Sequence, residues 1–238
     1  MAASGHFRLL DLPRELRDMI YEYALTEKAG LVVLKSTPSR LRAADNPRGP
    51  DPNSLKFVCR QLYAETKGLG LRYNKLTFPS SFSYELFDKF TKKHCSPANF
   101  GRVGSVAILQ TSSARLHMEL QAADTISKRY PALSVEVRLD WLSGQHSLQA
   151  WHWEGSVAQC AIRGTFPVLA SAELKDSAGR LAQYRSIPRD GFWADSTAVQ
   201  VFPKSFDEEE LRRTDPYSDI EDVDGWVAQC KQWFQEGF

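Results

Sequence analysis

Residues 9–25 of the chain read LLDLPRELRDMIYEYAL, and the apolar pattern of this stretch decides how the N-terminal part folds. Its apolar side chains recur at helical spacing, at Leu12, Leu16, Met19, Ile20 and Tyr23. This spacing predicts an α-helix with one apolar stripe. Pro13 suits a first helical turn, and Asp11 is placed to cap the free N–H groups there. Such a stripe must be buried, either within the chain's own domain or against a partner.

A second amphipathic stretch follows the first and is predicted to form one helix over residues 55–69. Asn53 or Ser54 is expected to cap it. The side chains that share its predicted face are Leu55, Val58, Cys59, Leu62, Tyr63, Thr66 and Leu69. Between the two helices, residues 31–34 have the length and composition of a short strand, and the proline-rich residues 36–54 are predicted to form an exposed loop.

These two stretches together resemble the F-box family. The pattern Leu12-Pro13-x-Glu15-Leu16-x-x-x-Ile20 is similar to the first F-box helix, and Leu55-x-x-Val58-Cys59-Arg60 to the second. The pair LPRELRDMIYEYAL and FVCRQLYAETKGLGLRYNKLTF is more specifically similar to a group of fungal F-box-like proteins. Some of these are named for two Glu-x-Arg motifs, which here read Glu15-Leu16-Arg17 and Glu65-Thr66-Lys67.

The resemblance implies a role in protein interaction. F-box proteins bind the Skp adaptor subunit of a cullin–RING ubiquitin ligase and recruit a protein substrate to it, which here would contact residues from Val103 onward. Affinity would come from a few apolar anchors that lose their water, with Leu12 and Pro13 at the adaptor contact. The partner-binding residues implied are Leu12, Pro13, Glu15, Leu16, Ile20, Leu55, Val58 and Cys59.

An alternative interpretation starts from the length of the segment between the two helices. Residues 27–53 separate them, far more than the compact F-box has. In this alternative the apolar side chains are core residues, and the chain is an adaptor-independent interaction scaffold. A nucleic-acid-binding protein is a further and less favoured alternative, which predicts binding that falls steeply with salt.

The remaining chain alternates between strand and helix patterns. We predict a strand at 103–109, a helix at 116–130 and a half-buried strand at 133–141, an order typical of a crossover helix packed on a sheet. The segment that Trp151-His152-Trp153 opens is predicted as a strand, residues 167–174 and 180–187 as a hairpin, and residues 223–234 as an amphipathic helix.

The predicted fold class is therefore a mixture of α+β and α/β structure. F-box-like helices with an inserted strand form an N-terminal module at residues 1–78. An α/β interaction region with a mixed sheet and a crossover helix follows at 79–205. Residues 206–238 form an acidic segment and an amphipathic C-terminal helix.

The composition is that of a globular protein, with 42% hydrophobic residues and a net charge of +1. Its four cysteines have no paired spacing, which argues against a disulfide framework or a zinc site. The sequence has no glycine-rich phosphate loop, no Gly-x-Ser-x-Gly or His-Glu-x-x-His motif and no membrane-length apolar run, and its first residues lead us to expect no signal sequence. We therefore expect no enzyme, cofactor or metal, and a cytoplasmic or nuclear location.

Overall fold

The computed structural model describes residues 8–34, 36, 38–79, 84–110, 116–143, 147–163, 199–213 and 222–238. They form a mixed fold of helices and strands, which confirms the predicted fold class. The chain divides into two compact units, one within Met1–Thr77 and Glu85–Ser105 and the other within Phe78–Tyr84 and Val106–Phe238. Residues 85–105 therefore belong with the N-terminal helices, and the C-terminal helix belongs with the second unit.

The N-terminal part of the chain is mostly helical. A 3-10 helix at Leu9–Asp11 precedes α1 (Arg14–Leu25), and strands β1 (Leu31–Val33) and β2 (Leu41–Ala43) follow. A second 3-10 helix at Ser54–Phe57 then leads into α2 (Arg60–Thr66), α3 (Leu69–Tyr73) and β3 (Leu76–Phe78). The next elements are α4 (Tyr84–Lys89), a π-helical segment at Phe90–His94 and α5 (Pro97–Phe100).

Strand β1 lies between β2 and β3. It pairs antiparallel with β2, placing Leu31 opposite Ala43, and parallel with β3, placing Leu31 opposite Leu76. All three of its side chains are buried, which confirms the predicted inserted strand. The prediction of a loop throughout residues 36–54 is wrong, because β2 lies within it. The prolines of this segment flank that strand and leave its N–H groups free to pair.

The prediction of one continuous helix over residues 55–69 is also wrong. Asn53 caps the 3-10 helix as expected, since its side chain accepts a hydrogen bond from the Lys56 N–H at 3.3 Å. Cys59 then takes an extended backbone with φ −158°, and its exposed Sγ accepts from the Leu62 N–H at 3.5 Å at the start of α2. Gly68, with φ +77°, separates α2 from α3.

Within its described residues, the second unit combines three strands with five helices. Its strands are β4 (Ser105–Gln110), β5 (Ser134–Leu139) and β6 (Val199–Pro203), with β5 in the middle and parallel to β6. Its helices are α6 (Leu116–Arg129), α7 (Asp140–Ser143), α8 (Leu148–Arg163), α9 (Glu208–Arg213) and α10 (Val223–Glu236). Helix α6 packs on β5, as predicted for the helix between these strands. Among the described residues, no helix is both long and apolar enough to cross a membrane.

The segment that begins near Trp151 is a helix, so its prediction as a strand is wrong. The alternation of Trp151, His152 and Trp153 is too short to decide between the two structures, whereas burial recurs at helical spacing through α8. Trp151 and His152 are both buried beside α10. The predicted hairpin at 167–174 and 180–187 lies outside the described residues.

The C-terminal helix docks by its aromatic face, as predicted. Trp233 of α10 stacks near Trp151, with ring centroids 6.0 Å apart, and its indole N–H donates to Gln159 Oε1 at 2.7 Å. His152 stacks on Trp226 at a centroid distance of 4.2 Å. The backbone N–H of Phe238 donates to the Val201 carbonyl at 2.9 Å, which ties the chain end to β6.

Candidate partner-binding surface

Helix α1 packs on α2 and α3 by a face that the sequence pattern did not identify. Tyr21 and Leu25 are the buried residues of α1, and they form one cluster with Leu62 and Leu69. Partly buried apolar side chains surround this cluster, namely Leu9, Leu10, Leu55 and Tyr73. The inner face of α1 therefore carries Tyr21 and Leu25, at i and i+4, rather than the predicted apolar stripe.

A polar network centred on Glu65 of α2 reinforces this packing. The Arg17 guanidinium donates to both oxygens of the Glu65 carboxylate, each at 3.0 Å, in a bidentate pair. The Tyr21 hydroxyl donates to Glu65 Oε2 at 2.6 Å, and the Gln61 amide donates to Oε1 at 3.0 Å. Arg17 of Glu15-Leu16-Arg17 thus binds the glutamate of Glu65-Thr66-Lys67.

The same hydrogen bonds shift the ionisation of the groups in the network. The Tyr21 hydroxyl, followed by Gln61 and Arg17, lowers the pKa of Glu65 to about 2 against the opposing effect of burial. Burial, with the Glu65 carboxylate as the next cause, raises the pKa of Tyr21 to about 12. At neutral pH the network is therefore a carboxylate held by an arginine and a neutral tyrosine.

Asn74 fixes the C-terminal end of α1. Its buried side-chain amide donates to the Leu25 carbonyl at 2.6 Å and to the Gly70 carbonyl at 2.8 Å. Its Oδ1 accepts a hydrogen bond from the Glu27 N–H at 2.7 Å. One side chain therefore satisfies backbone groups at the end of α1 and within α3, which orients the two helices.

The opposite face of α1 is an apolar surface exposed to solvent. Its residues follow one another at i, i+3, i+4 and i+7, and we call them the exposed stripe: Leu16, Met19, Ile20 and Tyr23. Their exposed fractions are 46%, 67%, 39% and 89% respectively. The alternative in which the predicted stripe forms the chain's own core is therefore wrong for these four side chains.

A second group of exposed apolar side chains lies at the break before α2 and within that helix. We call Phe57, Val58 and Tyr63, which are 71%, 68% and 45% exposed, the second patch. The break places Val58 and Cys59 at the surface, where a continuous helix would have placed them on the face shared with Leu62. Leu62 is buried at 5% exposure.

The structure divides the sequence-predicted site residues into two groups. Leu12 and Leu55 are half-buried, and Leu55 packs on the inner cluster. The exposed residues are Pro13, Glu15, Leu16, Ile20, Val58 and Cys59. Pro13 is the N-cap residue of α1, and no side chain caps this helix, so the prediction that Asp11 does so is wrong.

Four residues of the exposed stripe and the second patch are not among the predicted site residues. Met19 and Tyr23 lie at helical spacing from Leu16, so the amphipathic pattern itself was a sufficient signal to include them. Phe57 adjoins Val58 in sequence, but nothing in the pattern indicates the break that exposes both. The sequence pattern places Tyr63 on the face shared with Leu62, but Tyr63 is the next residue of α2 and points away from Leu62, at 45% exposure.

The described residues offer little support for other chemistry. None of them form a cluster of three or more His, Cys, Asp or Glu side chains suited to a metal ion. Cys95, next to His94, is buried, and burial raises the pKa of its thiol to about 11, so it remains protonated and a poor nucleophile at neutral pH.

The chain was compared with protein-family models, with curated proteins and with solved structures. None of the three comparisons gives a significant match to this chain.

Proposed function

We propose that the chain is a non-enzymatic interaction protein that binds its partner through the exposed stripe of α1, and that this partner is a Skp-type adaptor of a cullin–RING ubiquitin ligase. The observation that carries the proposal is the direction of the stripe. Its four large apolar side chains face solvent, while Tyr21 and Leu25 bury the other side of the same helix.

The geometry suits helix-mediated recognition. Large side chains at i, i+3, i+4 and i+7 on one helix are the usual anchors for a partner that offers an apolar groove. Contiguous apolar patches on soluble proteins are uncommon outside interaction sites. The Arg17–Glu65 pair and the Asn74 bonds hold α1 in place before binding, so little ordering of the helix opposes association.

The F-box resemblance supports the identity of the proposed partner. Leu16 and Ile20 belong to the motif that resembles the first F-box helix, and Val58 and Cys59 to the motif that resembles the second. All four are exposed. In this proposal the adaptor covers the stripe, other surfaces of the chain recruit a protein substrate, and the complex acts in the cytoplasm or nucleus.

The test is co-purification of the full chain with a Skp adaptor at micromolar concentrations. The informative variant is Met19→Glu, which places a charge in the centre of the stripe. Met118→Glu on α6 is its matched control, because Met19 and Met118 are both 67% exposed. We expect the wild type and the control to retain the adaptor and Met19→Glu to lose it, with all three equally folded by circular dichroism.

A folded wild type that does not retain the adaptor would reject the ligase role. Equal loss of binding in Met19→Glu and Met118→Glu would reject the stripe as the contact.

A second candidate is an adaptor-independent interaction scaffold. The observation that favours it is the segment between α1 and α2, which contributes β1 and β2 to the first unit in place of the short connection of an F-box. The same co-purification decides between the candidates. If the folded chain does not bind the adaptor, the exposed stripe is available to a different protein.

A further inference from the structure

An open groove of about 490 Å³ crosses the first unit. Its walls include Leu25, Leu31, Leu71 and Phe90, all buried in the unit. None of the exposed-stripe residues lines it. The groove is therefore a separate surface with apolar side chains at its base.

Basic side chains outnumber acidic ones along this groove. Arg40, Lys56 and Lys67 line it together with a single acidic residue, Asp51. Lys56 Nζ lies 2.6 Å from Asp51 Oδ2, so that carboxylate is already neutralised. Arg40 and Lys67 are exposed, and neither forms an ion pair with another described residue. Two cations of the groove are thus available to an incoming anion.

Two aromatic side chains of the second patch also line the groove, and lysines lie over both of them. Lys56 Nζ is 5.0 Å from the centre of the Phe57 ring, and Lys67 Nζ is 5.4 Å from that of Tyr63. An ammonium group closes one face of each ring to a stacked base, and the leucine side chains that line the groove suit an aliphatic anchor residue rather than a base. The arrangement therefore favours a peptide over a single-stranded nucleic acid.

From this combination we propose that the groove binds an acidic peptide segment of another protein that carries an apolar anchor residue. Carboxylates of the peptide pair with Arg40 and Lys67, and the anchor side chain enters the apolar base beside Phe57 and Tyr63. This site lies beyond the adaptor contact proposed above, and peptide binding does not require that contact.

The experiment is selection of a displayed library of random ten-residue peptides on the full-length chain, followed by fluorescence anisotropy with the most enriched peptide. We expect enrichment of Asp or Glu next to Leu, Ile or Phe. The double variant Arg40→Glu/Lys67→Glu should weaken that peptide at least about tenfold, because each change replaces attraction by repulsion. Lys28→Glu, a single exposed charge reversal outside the groove, is the control and should bind as the wild type does.

Three results would overturn the proposal. They are a selection without enrichment of acidic residues, equal weakening by the double variant and by Lys28→Glu, and tighter binding of an oligothymidylate than of the selected peptide. Met19→Glu is expected to retain peptide binding, so failure of the groove and failure of the adaptor contact are distinguishable.

Discussion

At the scale of single residues, Glu65 connects the two helices that carry the candidate surface. Its carboxylate accepts hydrogen bonds from Arg17, Tyr21 and Gln61, and both oxygens take part as acceptors. The sequence showed the two Glu-x-Arg-like motifs, but periodicity alone does not indicate that Arg17 of one pairs with Glu65 of the other. The pattern does not indicate that Tyr21 is buried either, because it lies off the apolar stripe and next to Glu22, as a surface tyrosine would.

Removing the Tyr21 hydroxyl should weaken the network without leaving a cavity. We expect Tyr21→Phe to lower the free energy of unfolding by about 1–2 kcal/mol at pH 7, since the Glu65 carboxylate loses one charge-assisted hydrogen bond. Chemical denaturation of the variant and the wild type measures this difference. Tyr23→Phe, on the exposed stripe, is the control and should leave the stability unchanged; an equal loss in both variants would contradict the role of the Tyr21 hydroxyl.

The lowered pKa of Glu65 makes the network sensitive to acid. Its pKa in the fold is about 2, below the ordinary value of 4.5, so the carboxylate stabilises the fold above pH 4.5 and this contribution is lost as the pH falls towards 2. The advantage of the wild type over Tyr21→Phe should therefore shrink over this window in denaturation curves recorded at successive pH values. A constant difference down to pH 2 would contradict the shift.

At the scale of elements, α1 shows how far an amphipathic pattern can be interpreted. The sequence correctly predicted the helix and its apolar stripe, as well as β1, α6 and α10. The sequence does not show whether the stripe faces solvent or the core. A helix face that packs in its own domain and one that binds a partner have the same spacing of apolar residues. The break at Cys59 and the helix at 148–163 were missed because each depends on tertiary packing.

The two sides of the α1–α2 pair should respond differently to truncation. Leu62→Ala removes a buried side chain and should cost about 2–5 kcal/mol of stability. Leu16→Ala changes an exposed side chain and should fall within about 0.5 kcal/mol of the wild type. Thermal and chemical denaturation of both variants measures the contrast, and a large loss in Leu16→Ala would mean that the stripe is core after all.

At Gly155 of α8, a glycine-to-alanine change should have the opposite of its usual effect on stability. Alanine normally stabilises a helix interior, but a Cβ at Gly155 would collide with the Trp233 ring. We therefore expect Gly155→Ala to destabilise the protein by about 1–3 kcal/mol. Gly70→Ala in α3 is the matched control, since its Cβ would meet only Leu31 Cδ1 at 3.8 Å, and it should be neutral or slightly stabilising. A stabilised Gly155→Ala protein would contradict the packing of Trp233.

At the scale of the whole molecule, the pH dependence of stability comes from different ionisable groups in the two units. The first depends on the Glu65 carboxylate, and the second encloses His152 between Trp226 and Trp233. Burial lowers the pKa of His152 to about 4 from an ordinary value of 6.5. The neutral imidazole therefore favours the fold above pH 6.5, and this contribution is lost as the pH falls towards 4.

Acid should consequently loosen the second unit before the first. Hydrogen exchange between pH 6.5 and 4 is expected to show falling protection in α8 and α10 while α1 and α2 stay protected. His152→Phe should reduce the pH dependence in this window by the imidazole contribution, because phenylalanine can occupy the same stack without titrating. Simultaneous loss of protection in both units would contradict the assignment.

The exposed thiol of Cys59 is a site for selective labelling with a fluorescent dye. Cys95 and Cys230 are buried and Cys160 is partly covered, so a maleimide dye should react first at Cys59. That position adjoins Val58, which places the fluorophore among the residues where a partner would dock. A change in its emission on titration would then report occupancy of this surface directly, in the wild-type protein and without any engineered attachment point.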